Sequence, residues 1–119
     1  MDLQEVMRQK VFVVVGDTLT EGKYAYRIKN RLKGCGYTAY GVGKELSSIN
    51  EVEDYIDIID LCINPVKGLK LIKECSKPFK CIVIQPGAGS EELCAYLAEN
   101  KLPYIEDCLL VGMNLYANN

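Results

Sequence analysis

The chain has no histidine, and its six cysteines (Cys35, Cys62, Cys75, Cys81, Cys94 and Cys108) contain no Cys-x-x-Cys pair. A zinc site therefore has little to build on. There is no basic excess either: 14 Lys and Arg stand against 16 Asp and Glu, a net charge of -2, which argues against an extended nucleic-acid surface. No apolar run approaches the roughly 20 residues that span a membrane. The amino end, Met1 to Lys10, carries acids and no apolar signal core. Internal repeats, low-complexity tracts and linkers are absent. Neither Gly-x-Gly-x-x-Gly nor a Gly-Lys-Ser/Thr phosphate loop occurs, so neither familiar nucleotide signature is available.

What is present is an ordinary globular composition, 49% apolar and 25% charged over 119 residues. That length suits one domain with a real core. Cys62 and Cys81 lie in apolar runs, where a thiol acts as a small hydrophobe, and the set reads as reduced, structural cysteines of a cytoplasmic protein.

Apolar runs alternate with helical patterns, the signature of βα units. Leu3, Val6 and Met7 have the spacing of a short leading helix. Val11 to Val15 is a β-branched run that predicts a central strand buried on both faces and stopped at Gly16. A polar loop, Asp17 to Lys23, precedes a helix from Tyr24 to Lys33 with Ala25, Ile28, Leu32 and Cys35 inward. Gly34 and Gly36 end it. Tyr37 to Val42 predicts the second strand, and Leu46 to Asp54 is acidic and short, a single helical turn. Ile56 to Ile63 predicts the third strand. Asn64-Pro65 then opens a helix, Asn as N-cap and Pro at the first position, with Val66, Leu69, Ile72 and Cys75 inward. Cys81 to Ile84 is the fourth strand. Ser90-Glu91-Glu92 starts a helix with acids at its positive end and Leu93, Tyr96 and Leu97 inward. Tyr104-Ile105 is a short fifth strand, and the form of the tail Asp107 to Asn119 stays open. The expectation is one α/β domain over 1–119, a doubly wound, mainly parallel five-stranded sheet of the Rossmann-like kind, helices on both faces.

Ligands of such sheets bind outside the carboxyl ends of the strands, where the strand order reverses. That rule selects Gly16 to Lys23, Gly43 to Glu45, Ile63 to Pro65, Gln85 to Gly89, and Glu106 to Cys108. Gly16 followed by a helix start aims free amides and a helix dipole at one point, suitable for phosphate. Thr18 and Thr20 add hydroxyls, and Lys23 adds charge. A plain strand-to-helix turn is the alternative. Lys44 suits a ligand bearing an extra phosphate, with a solvated turn residue as its alternative. Asn64-Pro65 has a firm role as a helix start and also lies on the ligand edge. Gln85-Pro86-Gly87 offers a polar side chain, a rigid turn and an unhindered backbone, or merely a turn with positive φ. Cys108 is a reactive thiol only if a positive neighbour or helix amino end activates it.

At these loops the chain resembles the stand-alone CoA-binding domain family, related to the amino-terminal CoA-binding domain of the succinyl-CoA synthetase alpha subunit. The resemblance runs from about Val11 to Cys108. It rests on Val14-Val15-Gly16 with Thr18, Lys23 and Tyr26 following without a gap, on Asp60-Leu61-Cys62-Ile63-Asn64-Pro65, on Gln85-Pro86-Gly87, and on Asp107-Cys108. It implies CoA as cofactor. Gly16, Thr18 and Lys23 would meet the diphosphate, Lys44 would lie near the adenosine end, and Ile63, Pro65 and Gln85 to Gly87 along the pantetheine arm. Asp17, Tyr26, Gly43, Asn64 and Cys108 complete the expected binding set.

Two departures stand out. The family usually has Asn-Pro after the second strand, where this chain has Gly43-Lys44. The stretch between strands two and three is roughly ten residues shorter than usual, against at least about 10–12 for a full crossover connection. Ligases of the succinyl-CoA synthetase kind pass phosphate through a histidine, which this chain lacks. The expected function is accordingly a small cytoplasmic CoA or acyl-CoA binding protein with no catalytic residues of its own. The rivals are an NAD(P)-binding redox enzyme or sensor, an interaction domain with a vestigial nucleotide site and an apolar patch at Leu109, Leu110, Val111 and Met113, and a thiol role for Cys108 as a mixed disulfide with CoA. The expected partner is a small nucleotide ligand, with no nucleic acid, membrane or metal, and with homo-oligomerisation left open.

Overall fold

The β-branched run does build the centre of a sheet. In the structure, a computed structural model that describes residues 1–117, Val11–Gly16 forms β1, and Phe12, Val13, Val14 and Val15 are all fully buried. Thr38–Gly43 (β2), Ile58–Cys62 (β3), Cys81–Ile84 (β4) and Tyr104–Glu106 (β5) join it. Every pairing is parallel, and the order is β2-β1-β3-β4-β5. The order reverses between β1 and β3, where Gly16 stands in register with Gly43 on one side and Cys62 on the other.

Right-handed crossovers turn that reversal into two helical layers. The helices are Leu3–Val6 (α1), Tyr24–Gly34 (α2), Pro65–Glu74 (α3), Glu91–Glu99 (α4) and Leu109–Tyr116 (α5). Alternate strand residues face opposite layers. Phe12, Val14, Ile58 and Val83 pack under α1, α2 and α5 through Val6, Ile28, Leu32, Leu109 and Met113. Val13, Val15, Ile59, Leu61, Ile82 and Ile84 pack under α3 and α4 through Leu69, Ile72, Leu93 and Leu97. Each of these buried side chains contributes about 1.5–3 kcal/mol by its removal from water.

The expected single turn between β2 and β3 is present, the tail left open takes a definite form, and the placement of Val66 changes. The connection from β2 to β3 holds only a 3-10 turn, Ile49–Glu51, closed by a reciprocal Ser48–Glu51 capping box. Its Ile49 is fully buried and fills the place a crossover helix would cover. The tail becomes α5, which crosses to α1 so closely that a Cβ on Gly112 would lie 2.8 Å from the Met7 sulfur. The suggested apolar patch is reduced: Leu109 and Met113 are buried and Leu110 is half-buried, whereas Val111, Leu115 and Tyr116 of the same helix are exposed. Val66, expected inside, is 77% exposed. It occupies the first turn of α3, where Pro65 starts the helix at the sheet edge, and the inward face begins one turn later with Gly68 and Leu69. The predicted last two residues of the tail, 118–119, lie outside the described residues.

Candidate functional site

The glycine ends of β1 and β2 lie side by side, and this opens the carboxyl edge of the sheet. Gly16 is there because nothing larger fits: an added Cβ would sit 2.4 Å from the Cys62 carbonyl oxygen and 2.9 Å from the Ala25 Cβ. Along this edge runs a groove of three joined pockets. The first, about 450 Å3, lies between Gly16, Gly43, Lys44 and the Lys67–Lys70 face of α3. It shares Asp17 and Ile63 with the second, about 380 Å3, which is lined by Lys23, Tyr24 and Ala25 of the β1–α2 connection and by Cys62. Gln85, Pro86 and Gly87 join the second to the third, about 530 Å3, which ends against Glu91, Cys94, Glu106 and Asp107. A larger hollow, about 810 Å3, lies at the opposite, amino edge between the loops that lead into β3 and β4.

The middle pocket faces an uncapped helix. Lys23 is the N-cap of α2 and makes no side-chain cap hydrogen bond. Asp2, Asn64 and Ser90 do cap α1, α3 and α4. The first-turn amides of α2 therefore keep their hydrogen-bonding capacity and partial positive charge for an anion in the groove. Asp17 shapes the same loop. Its carboxylate accepts from the Leu19 and Thr20 amides at 3.2 and 2.9 Å. Hydrogen bonds from Thr20 hold its carboxyl below the usual range.

The groove is graded in charge. Its first pocket carries Lys44, Lys67 and Lys70 against Asp17 and Glu74. The middle has Lys23 and, shared with the first, Asp17. The third has acids and no lysine or arginine. Gly87, at φ +88°, makes the turn beyond β4 that glycine favours, and its Cβ position is open space. Cys62 contributes apolar surface, because burial, assisted by Asp60 and Cys108, pushes its thiol up to about 12. It stays a neutral thiol at pH 7 and is a poor nucleophile.

Nine of the residues singled out from the sequence come together here: Gly16, Asp17, Lys23, Gly43, Lys44, Ile63, Gln85, Pro86 and Gly87. Others have different positions. Thr18 is 3% exposed, and its hydroxyl donates to Glu45 Oε2 at 2.7 Å. Glu45 also pairs with Lys29 at 2.7 Å. Tyr26 does not line the groove; Tyr24, two residues earlier, does. Asn64 accepts the Lys67 amide at 2.9 Å as the cap of α3, so its side chain has a structural partner. Pro65 and Cys108 are outside the three linings. Gln85 lines the groove, yet its side-chain oxygen accepts the Leu109 amide at 2.8 Å. Lys67, Lys70 and Tyr24 were not anticipated as lining residues. The helix phase set by Asn64-Pro65 was the available signal for the two lysines, since i and i+3 share a face.

Among the described residues no cluster of three or more His, Cys, Asp or Glu is placed to hold a metal, and no helix is long and apolar enough to cross a membrane. The lysine-bearing, glycine-edged groove lies at the reversal of a parallel sheet, the place where ligands of such sheets bind. A family model described as "CoA binding domain" matches residues 10–114, so the chain belongs to that family and its cofactor is CoA. It is similar to the acetate-CoA ligase (ADP-forming) of Methanocaldococcus jannaschii, 27% identical, with 87% of this chain aligned to 16% of that protein's length. Among solved structures, a conserved hypothetical protein from Pyrococcus furiosus is 27% identical with a TM-score of 0.77, covering 87% of this chain and 98% of that one. A hypothetical protein from Pyrococcus horikoshii has a TM-score of 0.85 at 19% identity, covering 98% and 91%, a likeness of fold.

Proposed function

We propose that this protein is a cytoplasmic carrier of CoA or acyl-CoA that performs no chemistry of its own, and that CoA lies along the carboxyl-edge groove. The observation that carries the reading is the continuity of the groove past the uncapped amino end of α2. The diphosphate meets Lys23 and the first-turn amides of α2, with Gly16 giving the close backbone approach. The adenosine end lies by Gly43 and Lys44. The pantetheine arm crosses Ile63 and the Gln85–Gly87 turn, and the thiol end reaches the acidic third pocket. Charge sets this direction, because the anionic half of CoA is repelled from Glu91, Glu106 and Asp107.

The absence of catalysis is inferred from the site's chemistry. Phosphoryl carriage on imidazole is unavailable to a chain without histidine. The thiol that lines the middle of the groove, Cys62, is held neutral. All six cysteines are free, which fits a reducing compartment.

Calorimetry and native mass spectrometry with CoA test the reading. One CoA per chain is expected, with K23Q weakening it about tenfold, the scale of one charge-assisted hydrogen bond. Purified protein that neither carries nor takes up CoA overturns it.

A further inference from the structure

The outward side of α5 is apolar and uncovered. From Leu109 to Tyr116 the helix holds no charged side chain, and a helix apolar all round belongs in an interior. Leu109 and Met113 are spent on the sheet, but Val111 is 47% and Leu115 64% exposed. These two stand one turn apart and form an outward ridge. Of the eight large hydrophobic side chains exposed among the described residues, half gather here: Met1 beside α1, and Val111, Leu115 and Tyr116 of α5. The opposite layer differs. There α3 and α4 expose only Val66 of that kind, among charges such as Lys70, Lys73, Glu92 and Glu99. Single exposed hydrophobes are ordinary, whereas a gathered patch marks a contact surface.

The two flanks of α5 belong to different helices. Gly112 meets α1, where an added Cβ would lie 2.8 Å from the Met7 sulfur and 3.0 Å from Leu3 Cδ1. Asn114 meets α2, its side-chain oxygen accepting from the Arg31 guanidinium. Positions two apart on a helix point about 200° apart. Hence α1 and α2 lie on opposite sides of α5, with the Val111–Leu115 ridge facing outward between them. The flanks also differ in charge. α2 has no acid, and Arg27 and Arg31 are exposed one turn apart along its α5 side. The α1 segment exposes Asp2, Glu5 and Arg8, an acidic balance. None of these five charges makes a salt bridge among the described residues.

An anionic partner would suit the α2 flank and be repelled at α1, and a cationic partner the reverse. The same face turned through a two-fold axis at the ridge suits both, because it sets each flank on the opposite flank of the other copy. We infer that the chain forms an isologous dimer through α5. Val111 and Leu115 pack on their own counterparts at the centre, and Arg27 and Arg31 face the partner's Asp2 and the partner's Glu5 at the rim. Neither Val111 nor Leu115 lines the groove, so the dimer is independent of what the groove binds.

Sedimentation velocity of the full chain over a range of concentrations, in low and high salt, tests this. A reversible dimer is expected in low salt. V111E/L115E should raise its dissociation constant at least about thirtyfold, the scale of one interface hot spot. Both positions are exposed, so the variant should keep the wild-type far-UV spectrum, which separates lost association from lost fold. R27Q/R31Q leaves the apolar ridge intact and should weaken the dimer by a smaller factor, with added salt narrowing its gap from wild type. A wild type that stays monomeric at every concentration overturns the dimer, and so does a dimer unmoved by both variants. Monomers that cosediment with phosphatidylglycerol vesicles, and lose this in V111E/L115E, also overturn it and give the face to a membrane surface.

Discussion

Gln85 Oε1 accepts a hydrogen bond from the Leu109 amide at 2.8 Å, tying the end of β4 to the first turn of α5. Gln85 is 5% exposed and Leu109 fully buried, so water cannot replace the acceptor. The side chain does for α5 what a local cap does for α3 and α4, from 24 residues away. Q85A should therefore cost stability, about 1–3 kcal/mol for the buried amide left without a partner. In urea that is a midpoint shift of about 1 M, at the usual slope for a small domain. Q85E keeps an acceptor and should recover part of the loss. A Q85A chain as stable as wild type would show that the bond carries no weight.

Thr18 and Glu45 separate a structural role from a ligand role at the first loop. The Thr18 hydroxyl is committed to a carboxylate that already holds Lys29. T18V should lower stability by about 1.5–3 kcal/mol, the range for a hydrogen bond to a charged group, and leave CoA affinity within about threefold. The opposite pattern, full stability with tenfold weaker CoA binding, would assign the hydroxyl to the ligand. Acid titration gives a second readout. Burial alone would raise the Glu45 carboxyl, but the hydrogen bonds from Lys29 and Thr18 outweigh it and hold the group below its ordinary value. A depressed folded-state pKa stabilises above the unfolded value near 4.5 and is lost as pH falls below it. T18V should shift that acid limb upward in pH.

Much of this was legible beforehand, for local reasons. Val11 to Val15 could only be a strand buried on both faces, and Asn64-Pro65 could only start a helix. The βα alternation then gave the parallel sheet, and Gly16, Lys23, Lys44 and Gln85–Gly87 fell on its carboxyl edge. What escaped depended on contacts distant in sequence. The Thr18 hydroxyl bond had no local signal because its partner, Glu45, lies 27 residues away. The bond from the Leu109 amide to Gln85 had none either, because α5 was invisible: Leu109-Leu110-Val111-Gly112-Met113 is apolar on every side and shows no helical period. Val66 was misplaced because apolar character alone does not say which turn of α3 first meets the sheet.

Gly16 gives a steric prediction. The Cβ of G16A would meet the Cys62 carbonyl oxygen at 2.4 Å, a backbone atom locked in the β1–β3 ladder. The Ala25 Cβ closes the other side at 2.9 Å. Relief requires β1 to separate from β3 or α2 to move outward, at the centre of the molecule. Overpacking of this kind costs about 1–3 kcal/mol or more, and the upper end is expected because the obstacle is main chain. CoA uptake should fall together with the denaturation midpoint, since the same shift displaces the amino end of α2. A G16A chain with unchanged stability would contradict the close approach of these elements.

Asp60 predicts an inverted pH dependence. It occupies the middle of β3, in register with Val14 and Val83, fully buried, with no hydrogen-bond partner on either carboxyl oxygen among the described residues. Burial raises its carboxyl well above the ordinary value of 3.8, so the folded chain keeps the proton that the unfolded chain releases. With more protons bound in the folded state, stability falls as pH rises above 3.8 and levels off once the folded group titrates. The slope for this one proton reaches about 1.4 kcal/mol per pH unit. D60N retains the shape and removes the ionisation. Its stability relative to wild type should therefore increase steadily from pH 4 upward, all other groups cancelling in the difference. D60V, which matches Val14 and Val83 beside it, should show the same trend with a higher baseline, because it also removes the unpartnered polar atoms. A difference between D60N and wild type that stays flat with pH would mean that Asp60 is ionised alike in both states, and that the packed sheet around it admits water or a partner.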